Sequence, residues 1–326
     1  MESADLIRDV LECFGYQAKA VNNAEGGQVN RTWRAETQRG TVAVRRYHPM
    51  RRAAAVAWEH ELLEFAAGRG WPVARALPTP EGITVVDYEG ALWSVFGWLE
   101  GAAAPVEHPG IAHIAGRLLA RLHKDLEGFP GEGQRPGTGK IWELDILAES
   151  AGAASFNTLL AEFGETFPDL AGVVRRQRYR NLRELSALHY PDLPDRVVHG
   201  DFGFENLLFS DGQVSGVLDF DWCRRDALAT DIAQWITPFH VRDIAIARSF
   251  LEGYQEARLL DDIEWLLLPG LMRAQLVHFC AFRLVEWKLL GSERAVASIG
   301  RTVAERFGRV DELAGALNRE MRSVRG

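Results

Sequence analysis

The sequence has few cysteines and no long apolar run. Its only cysteines, Cys13, Cys223 and Cys280, are isolated and form no CxxC pair, which argues against a disulfide framework or a zinc knuckle and suits a reducing compartment. No run approaches the roughly 18 apolar residues that span a bilayer. The acidic, amphipathic N-terminus MESADLIRDVLECFGYQ is unlike a signal peptide. We therefore expect a cytoplasmic protein with no membrane partner.

The sequence also has no excess of positive charge. It contains 37 Lys and Arg against 45 Asp and Glu, a formal net charge of −8, so its bulk charge does not indicate nucleic-acid binding. A mildly acidic protein can favour cationic small molecules, but the net charge locates no pocket. The chain of 326 residues is long enough for two domains, or for one domain of two lobes. Nothing in the sequence indicates the oligomeric state.

Hydrophobic periodicity divides the chain into a β-rich part and a helical part. Residues 1–98 predict strands and one long helix over about 52–68, because apolar residues first alternate and then recur at helical spacing. Residues 99–101 resemble a hinge, and residues 102–326 predict helices with one strand cluster over 197–220. The sequence therefore predicts an α+β fold with two lobes, and small ligands usually bind in the cleft of such a fold.

The segments VVHGDFGFENLLF and GVLDFDW contain most of the candidate chemistry. Asp201 follows a predicted strand, Asn206 comes five residues later, and Asp219 ends a second strand before Asp221. Oxygen side chains at neighbouring strand ends suit a hard divalent cation and leave sites for water and phosphate oxygens. A further carboxylate can orient a hydroxyl group and accept its proton. The pattern indicates a phosphate-bearing substrate, a magnesium ion and an alcohol.

The spacing HGDxxxxN followed by DFD resembles the catalytic and metal-binding loops of the protein-kinase-like small-molecule kinases. These include aminoglycoside phosphotransferases, choline kinases and type II homoserine kinases. The resemblance implies a bilobal protein-kinase-like fold that uses ATP and Mg²⁺. It implies that Asp201 is the catalytic carboxylate and that His199, in the same catalytic motif, supports the loop. Asn206 and Asp219 would hold magnesium, with Asp221 as a second magnesium contact or a loop brace.

The resemblance extends to the N-terminal lobe, residues 1–98. It implies nucleotide contacts from AEGGQVN, from VAVRRY, from the long helix and from FGWLEG, namely Gly26, Gly27, Arg45, Glu59, Phe96 and Trp98. Arg45 stands where many relatives have a lysine, and it keeps the charge in a bulkier, forked group. We expect Glu59 to pair with Arg45, the alternative being a solvated helix carboxylate. The glycine pair alone also fits an ordinary turn.

Two segments resemble the homoserine kinase branch, DALATDIAQWI and RAQLVHFCAFRL. In the first, Asp231 follows Thr230 near a helix start, so we expect a structural cap that also braces the catalytic loop. In the second, either Arg273 or Arg283 could face a carboxylate of the acceptor. The alternative is that both arginines are surface or interhelical residues.

Other side chains fit a different acceptor. Four acidic residues could attract an amine-rich molecule, although acidic helix faces are usually only solvated; they are Glu143, Asp145, Glu149 and Glu205. Four tryptophans could line an acceptor pocket, although aromatic residues more often belong to the core; they are Trp142, Trp222, Trp265 and Trp287.

The sequence therefore predicts an ATP-dependent phosphotransferase that acts on a hydroxyl group of a small molecule. The acceptor would be an amino alcohol, a hydroxy amino acid such as homoserine, or an aminoglycoside-like compound. One alternative is a catalytically inactive nucleotide-binding module of the same fold. Another is a metal-dependent hydrolase built on His199, Asp201 and Asp219, which would leave the β-rich N-terminal lobe and Asn206 unexplained.

Overall fold

The computed structural model describes residues 3–24, 30–103, 108–239, 241 and 243–325. The predicted phosphate contacts Gly26 and Gly27 lie outside these residues. The three cysteines lie within them and form no disulfide. The chain divides into two compact units. The first unit contains Met1–Ala103, Phe129–Gly137 and Asn206–Phe220, and the second contains Ala104–Gly128, Thr138–Glu205 and Asp221–Gly326.

A six-stranded antiparallel sheet forms the centre of the first unit, in the order β1-β2-β3-β6-β4 with β5 also paired to β6. The burial of alternate residues explains why these segments form strands, since Trp33, Ala35 and Thr37 are buried along one face of β2. The strands are β1 (Ala18–Asn23), β2 (Arg31–Thr37), β3 (Gly40–Arg46), β4 (Ala76–Leu77), β5 (Val86–Tyr88) and β6 (Ala91–Gly97).

Two helices belong to the same unit, α1 (Ala4–Cys13) and α2 (Ala53–Ala67). Helix α1 contributes buried apolar residues to the cluster on the sheet. Helix α2 confirms the predicted long helix. Strands β5 and β6 form a hairpin, in which Tyr88 pairs with Ala91 across a two-residue turn whose residues both have positive φ, as a type I′ turn requires.

Three further strands belong to the first unit. Strands β7 (Ala102–Ala103), β9 (Leu207–Ser210) and β10 (Gln213–Val217) form a separate sheet in the order β10-β9-β7. The Val217 amide also donates to the Pro72 carbonyl at 2.8 Å. Backbone hydrogen bonds therefore join residues 102–103 and the later strands β9 and β10 to the first unit, and the predicted lobe bounds of 1–98 stay a prediction.

The segment after β6 contains Gly101, a position where the backbone conformation and the neighbouring atoms exclude a side chain. Its φ is +140°, and a Cβ atom at this position would lie 2.3 Å from the Ser215 hydroxyl oxygen. That hydroxyl group donates to the Glu100 carbonyl at 2.8 Å. Only glycine fits here. The hinge role of residues 99–101 stays a prediction.

The second unit is mainly helical, which together with the first unit confirms the predicted α+β class. It also contains a two-stranded sheet of β8 (Arg196–Val198) and β11 (Arg224–Asp226), and a π-helical segment over Thr302–Arg306. Its helices are α3 (Pro109–Asp125), α4 (Asp145–Ser150), α5 (Phe156–Thr166), α6 (Pro168–Ala187), α7 (Ala229–Trp235), α8 (Ile244–Ala257), α9 (Asp262–Leu290), α10 (Glu293–Arg301) and α11 (Phe307–Arg325).

Helix α9 begins with a capping box, in which Asp261 and Glu264 bond each other's backbone amides, and it ends at Gly291 in the left-handed region. Among the described residues it is the one helix long and apolar enough to cross a membrane, by length and composition alone. Of its most apolar 18-residue window, 72% is buried inside the protein. A core helix passes the same test, so this finding does not argue for a membrane span.

Candidate active site

A buried carboxylate fixes the loop that carries His199 and Asp201. Asp231, in the first turn of α7, accepts the His199 amide at Oδ2 and the Gly200 amide at Oδ1, both at 2.7 Å. Its side chain is completely buried. The expected bracing role of Asp231 is thus confirmed. The expected cap role is not, because the N-cap position of α7 is Leu228.

A histidine supplies a third contact to Asp231. His123 Nε2 lies 3.0 Å from Oδ2, and His123 Nδ1 lies 2.9 Å from the Tyr254 hydroxyl. Because a carboxylate only accepts, Nε2 must carry a proton in this contact. Burial alone would raise the pKa of Asp231, but the hydrogen bond from His123 and the hydrogen bond from the Gly200 amide outweigh it. The pKa of Asp231 therefore lies below its usual value.

The loop backbone between His199 and Asp201 needs a glycine. Gly200 has a φ of +80°, and a Cβ atom there would lie 2.1 Å from the Trp222 carbonyl oxygen. One backbone segment is the catalytic loop at Gly200, and the other is Trp222, directly after the DFD motif. They approach each other so closely that no side chain fits at Gly200.

His199 is completely buried and its Nδ1 accepts the Asp201 amide at 3.2 Å. An accepting Nδ1 carries no proton, so the ring holds the loop conformation from within. This geometry fits the predicted supporting role of His199.

The Asp201 side chain is partly buried. Its Oδ1 accepts a hydrogen bond at 3.1 Å from the side-chain amide of Gln234, a residue of α7. Gln234 is a residue that the motif comparison missed. A signal exists in the sequence, because Gln234 follows Asp231 by three positions and so lies on the same helical face.

The predicted magnesium ligands Asn206 and Asp219 flank paired strands in the first unit. Leu207 pairs with Val217, and the Leu218 amide donates to the Asn206 carbonyl at 2.8 Å. The backbones of Asn206 and of the residue before Asp219 are therefore adjacent.

Asp219 has a φ of +61°, a left-handed conformation that Asp tolerates better than most residues and that concentrates at functional sites. Asp221 belongs to the second unit and is buried. An amide oxygen and a carboxylate are ligands that Mg²⁺ accepts. In the described part of the chain no group of three or more His, Cys, Asp and Glu residues could hold a metal. The predicted magnesium ligands Asn206, Asp219 and Asp221 are not such a group, because one of them is an asparagine.

Glu59 of α2 is completely buried in the first unit. Its Oε1 lies 3.6 Å from Nη1 of Arg45, so the predicted ion pair is present. The Arg45 guanidinium group also lies 5.2 Å from the centre of the Phe96 ring. The side chain of Phe96 is buried, whereas Trp98 is half-buried and faces the Arg34 guanidinium at 5.4 Å. The nucleotide contacts of these residues stay predictions.

Arg135 is a second arginine on Glu59, which sequence reasoning missed. Its Nη2 donates to Oε2 of Glu59 at 2.7 Å, its Nε donates to the Ala55 carbonyl at 2.9 Å, and its Nη1 donates to the Phe220 carbonyl at 3.3 Å. The side chain is completely buried. Arg135 thereby connects α2 to the residue directly after Asp219. No sequence signal marks it, because an arginine in a Gly- and Pro-rich segment is typical of a solvated loop.

The two arginines considered for an acceptor carboxylate differ. Arg273 is buried and its guanidinium group donates to Gln177, Glu184 and Asp311. The expectation that it faces an acceptor is wrong, because these contacts join helices α6, α9 and α11. Arg283 pairs with Glu286, one turn away on α9, and its guanidinium lies 4.8 Å from the Phe279 ring centre.

The acidic and aromatic candidates mostly have local partners. Asp145 accepts the Phe156 amide and Glu143 accepts the Lys140 amide, so both stabilise chain turns. Three of the tryptophans have separate neighbours, which favours packing roles: Trp142 contacts Tyr190, Trp222 contacts His278 and Phe282, and Trp287 contacts Phe163.

Comparison with known proteins agrees with this architecture. Residues 21–268 match the phosphotransferase enzyme family. The homoserine kinase of Caulobacter vibrioides (strain NA1000 / CB15N) is 28% identical over 296 residues, covering 87% of this chain and 88% of the relative.

Two solved structures share the fold. The amicoumacin kinase hAmiN, in complex with AMP-PNP, Ca²⁺ and Ami, has a TM-score of 0.70 at 16% identity, covering 94% of this chain and 93% of its own. The microcompartment-associated aminopropanol kinase has a TM-score of 0.67 at 17% identity and covers 98% of both chains. The predicted protein-kinase-like fold is confirmed, and the chain belongs to the phosphotransferase enzyme family as a small-molecule kinase.

Proposed function

We propose that this kinase transfers the γ-phosphoryl group of ATP to the hydroxyl of homoserine or a closely similar hydroxy amino acid. The observation that carries the proposal is the Asp201 carboxylate, which Gln234 contacts in a loop fixed by Asp231. A carboxylate fixed in this way suits a base that must meet a hydroxyl group in one orientation. The homoserine kinase relative, which aligns with 87% of this chain, supports the acceptor.

In the proposed reaction Asp201 orients the acceptor hydroxyl and takes up its proton. The hydroxyl oxygen forms a bond to the γ-phosphorus while the bond from that phosphorus to the β–γ bridging oxygen breaks, which yields a phosphate ester and ADP. Little covalent chemistry falls to the protein in such transfers, so placement and charge neutralisation supply most of the rate.

The phosphates of ATP need positive charge and a cation. Arg45, oriented by Glu59, can contact phosphate oxygens with its forked guanidinium group. Asn206 and Asp219 would hold Mg²⁺, with Asp221 as a further contact or a brace. Magnesium bound there would neutralise charge on the phosphate oxygens. The AMP-PNP and Ca²⁺ in the hAmiN complex support a nucleotide with a divalent cation.

An arginine and aromatic cluster in the second unit supports an acceptor with a negative group. Arg283 and Arg306 both lie over the ring of Phe279, at 4.8 and 5.9 Å, and Arg306 also lies 4.3 Å from the Phe239 ring centre. Partial burial and the nearby charge of Arg301 lower the pKa of Arg306. Arg283 is paired with Glu286, so the positive charge that could attract an anion here is that of Arg306, and arginine forks recognise carboxylates in a bidentate manner. A homoserine carboxylate is such an anion.

An acceptor screen tests the proposal. ADP release would be measured with homoserine, aminopropanol, choline, hydroxylysine, methylthioribose and an aminoglycoside. We expect the highest kcat/KM for homoserine. Asp201→Asn should lower kcat on the order of 10³-fold, since it removes a positioned general base. The control is Asp211→Asn, an exposed aspartate with left-handed φ in the turn between β9 and β10, which should keep wild-type activity.

The two parts of the proposal fail separately. A higher kcat/KM for another acceptor would contradict the homoserine assignment and leave the phosphotransfer chemistry intact. Full activity of Asp201→Asn would contradict the role given to that carboxylate.

A further inference from the structure

The contact between Gln234 and Asp201 has no counterpart in the HGDxxxxN and DFD motifs. The Gln234 side chain is 5% exposed, and its Nε2 lies 3.1 Å from Oδ1 of Asp201. Because a carboxylate only accepts hydrogen bonds, the NH₂ end of the amide must face it. We propose that Gln234 is a positioning residue of the phosphoryl transfer, which sets the orientation of the Asp201 carboxylate toward the acceptor hydroxyl.

Helix α7 is a rigid support for this contact. Every residue of α7 is buried. The Trp235 ring stacks on the Phe250 ring with centres 4.0 Å apart, and the Thr237 hydroxyl donates to the Gln234 carbonyl at 2.8 Å. A side chain on a helix that is packed on all sides has a well-defined position, and it can fix the orientation of its hydrogen-bond partner.

One face of α7 controls two features of the catalytic loop. Asp231 accepts the backbone amides of His199 and Gly200, and Gln234, one turn later, donates to the side chain of Asp201. The same short helix thus fixes both the backbone of the loop and the orientation of the Asp201 carboxylate.

The donated hydrogen bond has two chemical effects. It restricts rotation of the carboxylate about the Cβ–Cγ bond, which matters because a small misorientation of a reacting group lowers the rate strongly. It also stabilises the ionised carboxylate, which is the form that can accept a proton. The inference rests on the proposed role of Asp201 as the base.

The test compares Gln234→Leu with Asn181→Leu. Asn181 is a matched control, because its completely buried amide donates to the Gly270 carbonyl at 2.7 Å in the same unit, away from the catalytic loop. We expect Gln234→Leu to lower kcat about tenfold to a hundredfold, as loss of a hydrogen bond to a charged group does. KM for ATP and for the acceptor should change less than about twofold, since ground-state binding is untouched.

The pH profile of kcat separates positioning from loss of stability. Without the amide donor the carboxylate protonates more readily, so the acid limb of Gln234→Leu should move to higher pH. Gln234→Glu is nearly isosteric and places a second carboxylate beside Asp201, so it should move the limb further in the same direction. Asn181→Leu should lower the melting temperature and leave the limb in place.

The outcomes distinguish the inference from the proposed function. Retained activity in Asp201→Asn would remove the basis of both. An inactive Asp201→Asn together with an unchanged kcat and acid limb in Gln234→Leu would overturn the role of Gln234 alone. If Gln234→Leu does not fold, an acid limb of Gln234→Glu that coincides with the wild type overturns it instead. In the Asp201→Asn background Gln234→Leu should have no further effect on kcat, because the two residues act as one unit.

Discussion

Two of the completely buried carboxylates among the described residues, Glu59 and Asp231, are stabilised in different ways. Glu59 in the first unit is surrounded by side-chain cations, Arg45 at 3.6 Å and Arg135 at 2.7 Å. Asp231 in the second unit accepts two backbone amides and one imidazole N–H. Both lack solvent exposure, so each must be compensated within the protein.

The difference reflects what each carboxylate fixes. Arginines reach Glu59 from β3 and from the 129–137 segment, so that site joins three separate parts of the chain through side chains. Asp231 instead binds peptide amides, and therefore fixes the backbone of the catalytic loop directly. Guanidinium groups keep their charge at all ordinary pH values, and amide dipoles carry no charge to lose. Mutation of Glu59 would therefore leave buried cations without a counter-charge, whereas mutation of Asp231 would leave backbone amides without an acceptor.

The largest expected effect is that of Asp231→Ala. The substitution leaves the buried amides of His199 and Gly200 and the His123 N–H without their acceptor. Each unsatisfied buried group costs about 1 to 3 kcal/mol, so for these three donors we expect a loss of about 3 to 9 kcal/mol in the free energy of unfolding. Urea denaturation measures this loss.

A control for Asp231→Ala is Asp211→Ala on the exposed turn of the first unit, where the loss should stay below about 1 kcal/mol. A loss in Asp231→Ala as small as in that control would show that the loop backbone does not depend on this carboxylate.

As the pH falls, the stability that depends on His60 in the first unit should decrease at a higher pH than the stability that depends on Asp231. Burial and the charges of Arg45 and Arg135 lower the pKa of His60 to about 3, against about 6.5 in an unfolded chain. Between these values the unfolded state binds more protons, so stability is complete above pH ~6.5 and falls as the pH drops toward 3. The lowered pKa of Asp231 gives stability that is present above about pH 4 and is lost only below it.

The measurement is the free energy of unfolding from pH 7 to pH 3.5 for the wild type and for His60→Gln. Glutamine does not titrate and can still bond the Tyr47 and Thr84 hydroxyls that His60 contacts. We expect the wild type to lose about 4 kcal/mol more than the variant, since one unit of pKa difference is worth about 1.4 kcal/mol. His189→Asn, at an exposed histidine, should keep the wild-type dependence. Parallel curves for wild type and His60→Gln would contradict the expectation.

The sequence predicts those features of the two sites that depend on residues close to each other in the chain. The HGDxxxxN spacing indicated the loop of His199 and Asp201, and the position of Asp231 near a helix start indicated a brace, because each depends on short sequence distances. The alternation of apolar residues likewise predicted strands within residues 1–98. Such features are encoded by neighbours in the chain.

Long-range contacts were not predictable in this way. Arg135 reaches Glu59 across 76 positions of sequence, and no periodicity or motif links them. The strand β7 of two residues was missed because it is stabilised by pairing with β9 and not by its own propensity. Whether an arginine such as Arg273 faces a ligand or three helices is likewise decided by packing, which a single sequence does not display.

Arg135→Lys tests whether an arginine side chain stabilises the buried carboxylate of Glu59. A lysine has one compact ammonium group and cannot reproduce the forked contacts to Glu59, Ala55 and Phe220. We expect a loss of about 3 kcal/mol in the free energy of unfolding, in the range for a broken buried ion pair. Arg75→Lys is the matched control, because Arg75 forms a bidentate pair with Glu64 in the same unit but both side chains are well exposed. That control should change stability by less than about 1 kcal/mol, and equal losses in the two variants would contradict the special role of Arg135.

Arg45→Lys should have the smallest effect of this series. Arg45 lies 3.6 Å from Glu59, farther than Arg135, and its guanidinium group also lies 5.2 Å from the centre of the Phe96 ring. A lysine keeps the charge and loses mainly the stacking, so we expect about 1 kcal/mol in stability and a change in KM for ATP of less than about fivefold. The informative result is which of Arg45→Lys and Arg135→Lys loses more stability. A larger loss of stability for Arg45→Lys than for Arg135→Lys would mean that the strand arginine, and not the arginine of the 129–137 segment, is the main counter-charge of Glu59.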